Sequence, residues 1–159
     1  MRRRGEAVAQ VTETAQAPRQ ARWRLITAAE LPRLMSVPPN VDADPYRAPL
    51  LQFIWDWNVA PDRAALVSNT PIYDGDDLLL LPTLAVVVHA LAARDGVPVP
   101  AWVPGHRAPD DVMMFGWALG GRYARWVRMR SPAVCAHHRV WFHPRMLDKG
   151  TTDWWLPWD

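Results

Sequence analysis

Potential metal ligands are concentrated near the C-terminal end of the chain. Thiolate, imidazole and carboxylate groups all bind zinc or iron, and this stretch supplies all three, as Cys135, His137, His138, His143 and Asp148. Their spacing matches no closed structural zinc site, and Arg139 and Arg145 add positive charge that opposes a cation. We therefore predict no metal and no other cofactor, and we interpret the histidines as hydrogen-bonding partners of backbone groups or of aspartates.

Arginines and aromatic residues are interleaved just before this stretch, in residues 122–130 (RYARWVRMR). Helical spacing predicts an inward stripe formed by Tyr123, Trp126 and Val127. The basic residues then follow another side of the helix, as Arg122, Arg125 and Arg128. Such helices bind phosphates and stack on bases in some proteins, and in others the arginines are only solvated. Both interpretations, nucleic-acid binding and an ordinary amphipathic helix, stay open.

The familiar catalytic signatures are absent from the sequence. It has no Gly-rich phosphate loop, no Gly-x-Ser-x-Gly elbow, no His-Glu-x-x-His and no Cys-x-x-Cys. Glutamate occurs only at positions 6, 13 and 30, so paired catalytic carboxylates would have to be aspartates. The pair Asp74 and Asp76 lacks the downstream ligands of a calcium loop. We predict a protein that is not an enzyme, with a small metal-dependent enzyme as a distant alternative.

The charge pattern has two interpretations: basic ends that fold against an acidic middle or are simply solvated, or basic ends that meet an acidic partner, either nucleic acid or protein. The tryptophan content favours a partner-binding protein. Residues 1–39 carry a net charge of +4, residues 40–118 carry −6, and residues 119–159 carry +4. Ten tryptophans exceed what a core of this size needs, so some should meet another molecule. The predicted partner surface combines acidic and aromatic residues, namely Asp74, Asp76, Asp77, Trp55 and Trp57. Three tryptophans of the tail should be buried against the core or a partner: Trp154, Trp155 and Trp158.

Length and composition predict one soluble, cytoplasmic domain. The chain has 159 residues, of which 50% are apolar and 21% charged, as in globular proteins. A single cysteine excludes an intramolecular disulfide and suits a reducing compartment. The longest apolar run, residues 78–93, is shorter than the roughly 20 residues that span a bilayer. No membrane contact is expected.

Periodicity and turn residues predict a mainly α fold, a compact multi-helix single domain with an irregular Trp-rich C-terminal segment. Residues 1–20 read as a flexible basic arm, and residues 21–159 as the helical domain. A capping box at Thr27 should start a short helix that turns Leu31, Leu34 and Met35 inward. Further helices are predicted over residues 49–58, 61–69, 77–93, 110–119 and 122–130, with an extended segment at 140–142 and one helical turn at 144–149.

The C-terminal part resembles a known group of proteins. The resemblance lies in residues 95–103 (DGVPVPAWV), 131–133 (SPA) and 138–143 (HRVWFH), and it covers about the last 65 residues. These runs are similar to the antitoxin partners of actinobacterial nucleotidyltransferase toxins of the abortive-infection type. The resemblance implies a protein that neutralises a toxin encoded by an adjacent gene. This chain has no evident helix-turn-helix, so the resemblance favours partner binding over DNA binding, with a nucleic-acid-binding transcriptional regulator as the alternative.

Overall fold

The apolar run of residues 78–93 forms the central helix of the protein. A computed structural model describes residues 24–36, 46–114 and 121–149. Within them, α3 (Leu80–Asp95) buries eleven of its sixteen residues. It begins three residues later than predicted, because Asp77 first closes a turn by accepting the backbone N–H of Leu79 at 2.9 Å. Gly96 ends it with a φ of 67°, a left-handed conformation that glycine adopts without a Cβ clash.

A second helix, α2 (Arg47–Val59), completes the core with α3. Its large residues Leu50, Phe53, Ile54 and Trp57 follow the spacing i, i+3, i+4, i+7, and all four are fully buried. Asp56 is also buried, and its carboxylate accepts the backbone N–H of Ile26 at 2.7 Å and the side-chain amide of Gln52 at 2.8 Å. The bond from Ile26 attaches the first described residues to α2.

The predicted capping box lies at the start of a one-turn 3₁₀ helix, Ala28–Glu30, which runs directly into α1 (Leu31–Met35). The Glu30 carboxylate accepts the backbone N–H of Thr27 at 3.0 Å and its hydroxyl at 2.8 Å, and the backbone bond lowers the pKa of Glu30. Leu31 and Met35 are buried as expected. The expectation for Leu34 was wrong, because its side chain is 37% exposed.

The second half of the chain consists of short elements around one side of α3. They are β1 (Val112–Met113), α4 (Gly121–Arg130), α5 (Val134–His138), β2 (Val140–Trp141) and α6 (Arg145–Lys149). The two strands pair in parallel, with Val112 opposite Val140. The helix predicted over residues 110–119 was therefore wrong at Val112 and Met113, which form a strand. The helix predicted over residues 61–69 is only a 3₁₀ turn, Ala64–Val67.

The described elements form one mainly α domain. The short C-terminal helices pack on the central pair, since α5 lies against α3 and α6 lies against α2 and α3. Arg94 and Asn58 fix α6 by donating to the carbonyl oxygen of Leu147 at 2.7 and 2.9 Å. The predicted basic arm, residues 1–20, and the three tail tryptophans, Trp154, Trp155 and Trp158, lie outside the described residues.

Candidate interaction surfaces

An ordered acidic loop, residues 70–79, leads into α3. The Tyr73 ring lies across Gly75, so close that a Cβ at position 75 would collide with it. Asp77 anchors the loop: its backbone N–H donates to the Tyr73 hydroxyl at 3.1 Å, and its carboxylate accepts the hydroxyl of Tyr46 and the backbone N–H of Leu79. The three predicted aspartates therefore divide into one anchor, Asp77, and two solvated charges.

Those two charges, Asp74 and Asp76, are exposed and form no hydrogen bond or ion pair with any described residue. Beside them the loop presents Ile72 and Leu78, which are 85% and 70% exposed. Ile72 and Leu78 are not buried by this fold, and they lie beside two carboxylates that pair with no described residue. The arrangement is typical of a surface that contacts another molecule, with apolar anchors and a charged rim.

An apolar hollow of about 290 Å³ opens where the acidic loop begins, at Thr70. Its walls include Val67, Val99 and Trp102, and the Trp102 indole N–H donates to the Val67 carbonyl oxygen at 3.3 Å. That bond fixes the indole while leaving part of the ring on the surface. The hollow therefore adds a site for an apolar side chain beside the carboxylates of the loop.

The two tryptophans predicted for the partner surface have different positions. Trp55 is 56% exposed on α2, and Val59 on the same face is 55% exposed. Trp57 is fully buried, and its indole N–H donates to Asp95 Oδ2 at 2.7 Å. A partner cannot contact Trp57 in this fold, so Trp57 is a core residue and not part of the predicted surface. The helical spacing of the apolar residues predicts this difference, because Trp57 lies on the buried face with Leu50 and Trp55 falls outside that spacing.

The arginine helix α4 buries only Ala124 and Val127. Tyr123 and Trp126, predicted to point inward, are 37% and 39% exposed along one flank. The Trp126 ring stacks on His143 with centroids 4.7 Å apart. The guanidinium of Arg130 lies over the same Trp126 ring, 5.4 Å from its centroid. Burial and the nearby charges of Arg145 and Arg130 lower the pKa of His143.

The other flank of α4 forms one side of a groove of about 460 Å³, which we call the α4 groove. It is lined by Gly121, Arg125, Arg128, Met129 and Trp141. Arg128 is held there by Asp111, with Nη2 to Oδ2 at 3.1 Å, and its guanidinium lies 5.2 Å from the centroid of the Trp141 ring. Asp111 also pairs with Arg139, whose Nε lies 3.4 Å from Oδ1.

The three predicted basic residues therefore have different roles. Arg122 and Arg125 are exposed and form no hydrogen bond or ion pair with any described residue. Arg128 is half-buried and paired with Asp111. Only Arg125 and Arg128 line the α4 groove, so the predicted basic stripe splits into a groove pair and a solvated residue, Arg122.

The histidines form a hydrogen-bonded cluster around His138, which is fully buried. Its Nδ1 lies 2.5 Å from the carbonyl oxygen of His106, so Nδ1 carries the proton. Its Nε2 then accepts from His89 Nδ1 at 2.9 Å. Burial lowers the pKa of His138 to about 4, and it also lowers the pKa of His89 and His106. These rings are neutral at physiological pH.

The candidate metal ligands of the sequence do not converge. His137 lies beside His138, with ring centroids 4.8 Å apart, and its Nε2 is bonded to the Pro104 carbonyl oxygen, whereas His143 stacks on Trp126. Burial raises the pKa of the Cys135 thiol to about 12, which keeps it protonated. Within residues 24–36, 46–114 and 121–149, no three histidine, cysteine or acidic side chains are grouped so as to hold a metal ion.

Sequence reasoning missed several residues of these surfaces and clusters, among them Ile72, Leu78, His89, His106, Asp111 and Trp141. Ile72 and Leu78 lie beside turn residues, where periodicity carries no signal for exposure. His89 faces His138 across 49 positions of the chain, and a contact at that separation has no local signature.

Comparisons with protein families, with curated proteins and with solved structures found no match to this chain. None of the described helices is both long and apolar enough to cross a bilayer.

Proposed function

We propose that this protein is a non-enzymatic binding protein, most specifically an antitoxin that neutralises a nucleotidyltransferase toxin by protein–protein contact. The observation that carries the proposal is the acidic loop, where Ile72 and Leu78 are exposed beside the carboxylates of Asp74 and Asp76, which pair with no residue in the described part of the chain. Apolar anchors with a charged rim are what a protein partner with a basic surface requires.

The proposed partner has complementary chemistry. A toxin that handles tRNA and nucleotides needs a basic cleft, because both substrates carry phosphates. The net charge of −6 over residues 40–118 would attract such a cleft and compete with its substrate. Trp55, exposed on α2, supplies a further aromatic anchor on the same acidic half of the chain. The resemblance of the C-terminal part to such antitoxins supports this choice of partner.

The test is binding to the protein encoded by the adjacent gene, with purified proteins at several salt concentrations. The double variant D74K/D76K should slow association about tenfold at low salt, because charges at an interface rim act mainly on encounter. Asp77 stays unchanged, since its carboxylate holds the loop. The variant I72S/L78S should instead speed dissociation, because it removes apolar contacts that form only in the complex.

The control is D110K, which reverses one charge, as D74K and D76K each do, at another exposed aspartate with no bonding partner among the described residues. It should leave association unchanged within about twofold. If D110K slows association as much as D74K/D76K, net charge rather than the loop drives encounter. A neighbouring protein that is not toxic, or a toxic one that is neither bound nor neutralised, would refute the antitoxin proposal.

A nucleic-acid-binding regulator is the alternative, and one observation favours it. Arg122 and Arg125 are exposed on α4 beside Tyr123 and Trp126, whose ring centroids are 5.7 Å apart. Exposed cations near aromatic faces can hold a strand of nucleic acid. This alternative predicts tight binding to DNA of random sequence with a steep salt dependence, and the acidic loop variants should then have no effect.

A further inference from the structure

The α4 groove contains hydrogen-bond donors that this fold leaves without acceptors. Arg128 Nε and Trp141 Nε1 are buried atoms, and no described residue accepts a hydrogen bond from either. Both residues line the same groove. A buried N–H without a partner is costly, by roughly 1–3 kcal/mol on mutational scales, and two in one groove are unusual. Both N–H groups therefore lack a hydrogen-bond acceptor among the described residues.

The charge of the groove specifies what kind of acceptor. Arg128 and Arg139 both pair with the single carboxylate of Asp111, which leaves one positive charge uncompensated. Arg125 adds another, because it forms no ion pair with any described residue. Among the described residues, three guanidinium groups in or beside the groove face one carboxylate, which gives a net charge of +2 and favours an anion as the acceptor.

The groove is also preorganised. Asp111 accepts from Nη2 of Arg128 and the Trp141 ring supports the guanidinium, so the guanidinium is held beside the groove. A volume of about 460 Å³ lies in the usual range for small-ligand sites and exceeds the size of a single phosphate group. Guanidinium groups bind phosphate oxygens in the plane of their N–H donors, which a carboxylate-anchored arginine presents without further ordering.

We propose that the α4 groove binds a phosphate group, which pairs with the guanidinium groups of Arg125 and Arg128. Small shifts of the Arg128 and Trp141 side chains then let the phosphate accept hydrogen bonds from their buried Nε and Nε1 donors. The phosphate belongs either to a free or terminal phosphate or to an internal phosphodiester of a nucleic acid. This site shares no residue with the acidic loop, so phosphate binding and partner binding can be tested separately.

The experiment uses the full chain in a buffer without phosphate or sulfate, and three probes. They are inorganic phosphate, a short single-stranded RNA with a 5′-phosphate, and the same RNA with a 5′-hydroxyl. Binding is followed by calorimetry and by the indole N–H resonances in ¹H–¹⁵N spectra. The Trp141 resonance is identified as the one missing from W141F, which keeps a ring under Arg128 while removing the donor.

We expect phosphate in the millimolar range to shift the Trp141 indole resonance, since a new acceptor changes that N–H directly. R125Q should weaken binding of the best probe about tenfold, as for loss of a charged hydrogen bond. R122Q is the matched control: it removes the same charge from an exposed position on the same helix outside the groove, and it should weaken binding less than about twofold.

The three probes distinguish the source of the phosphate. A preference for the 5′-phosphorylated RNA supports a terminal-phosphate site, and equal binding of both RNAs supports an internal phosphodiester. Equal losses in R122Q and R125Q would overturn the proposal, because they would indicate diffuse attraction to the whole basic face. An unmoved Trp141 resonance at saturating phosphate would overturn it as well. Because Arg125 is exposed, R125Q keeps the test valid even if W141F unfolds.

Discussion

Acidification should destabilise this protein through its buried histidine, His138. The ring is fully buried and donates to the His106 carbonyl oxygen through Nδ1, while Nε2 accepts from His89. A proton added to Nε2 removes the acceptor of the His89 Nδ1–H, so this hydrogen bond persists only if His89 shifts its own proton to its other ring nitrogen. Burial is the main reason that the pKa of His138 falls to about 4, and the neighbouring His137, His89 and His106 lower it further.

The sign and size of the effect follow from linkage. The folded-state pKa of about 4 lies below the unfolded value of 6.5, so the full stability is present above that unfolded value. As the pH falls from 6.5 towards 4, only the unfolded chain gains a proton at this site. At about 1.4 kcal/mol for each pH unit, His138 alone should cost about 2 kcal/mol of unfolding free energy between about pH 7.5 and about pH 5.

The assay is urea unfolding of the wild type and H138Q at these two pH values. H138Q should be less stable than the wild type near neutral pH, because glutamine reproduces at most part of the hydrogen bonding. It should also lose about 2 kcal/mol less on acidification, since it removes one titrating site. H137Q removes a neighbouring ring that helps to lower the pKa of His138, so it should lose slightly less stability on acidification than the wild type and clearly more than H138Q. An H138Q protein with the full wild-type loss would refute the assignment to His138.

Two further predictions concern the core. D95N should lower the free energy of unfolding near neutral pH by about 1–3 kcal/mol, measured by urea unfolding, because Asp95 accepts the Trp57 indole N–H and pairs with Arg94 and Arg63. The hydrogen bond from Arg94 is the main reason that the pKa of Asp95 falls to about 2. The stability from Asp95 is therefore present above pH 3.8 and is lost as the pH falls towards 2. If D95N and the wild type lost the same unfolding free energy over this pH range, the assignment to Asp95 would be wrong. Cys135 should react with iodoacetamide only after unfolding, because its thiol is buried and protonated, and rapid alkylation of the native protein, followed by mass spectrometry, would contradict this.

Much of the helical framework could be predicted from local sequence signals. The capping box at Thr27, the apolar run of α3 and the glycine after it each act within a few residues. The α4 helix and the single turn of α6 were also predicted nearly to their ends. The fold class is confirmed for the described residues because it depends mainly on such local periodicity.

The errors occur where long-range contacts override local patterns. Val112 and Met113 follow two aspartates that suit a helix start, yet pairing with Val140 and Trp141 draws them into a strand. The pairing lies far along the chain, so no local signal predicts it. The exposed Leu34 is a different case: it lies at the edge of the face that buries Leu31 and Met35, where helical spacing alone does not decide exposure.

The surfaces could be predicted by residue type but not by arrangement. Asp74, Asp76, Arg122 and Arg125 are exposed charges, as a polar sequence predicts. The Asp111 carboxylate that joins Arg128 to Arg139 is fixed by the β1–β2 pairing, which the sequence did not predict. The α4 groove therefore depends on the same long-range contact that defeats the local helix prediction.

The positions of the two surfaces also decide how they can be tested. The acidic loop is held by Tyr46 and Tyr73, while the α4 groove is held by Asp111 and the β1–β2 pair. The two sets of anchoring residues do not overlap, so a change of exposed charge in one surface should leave the other folded. A protein that bound its partner through the loop and a phosphate through the groove would lose one activity at a time. Loss of both activities from one such exposed substitution would instead mean that the two surfaces belong to a single interface.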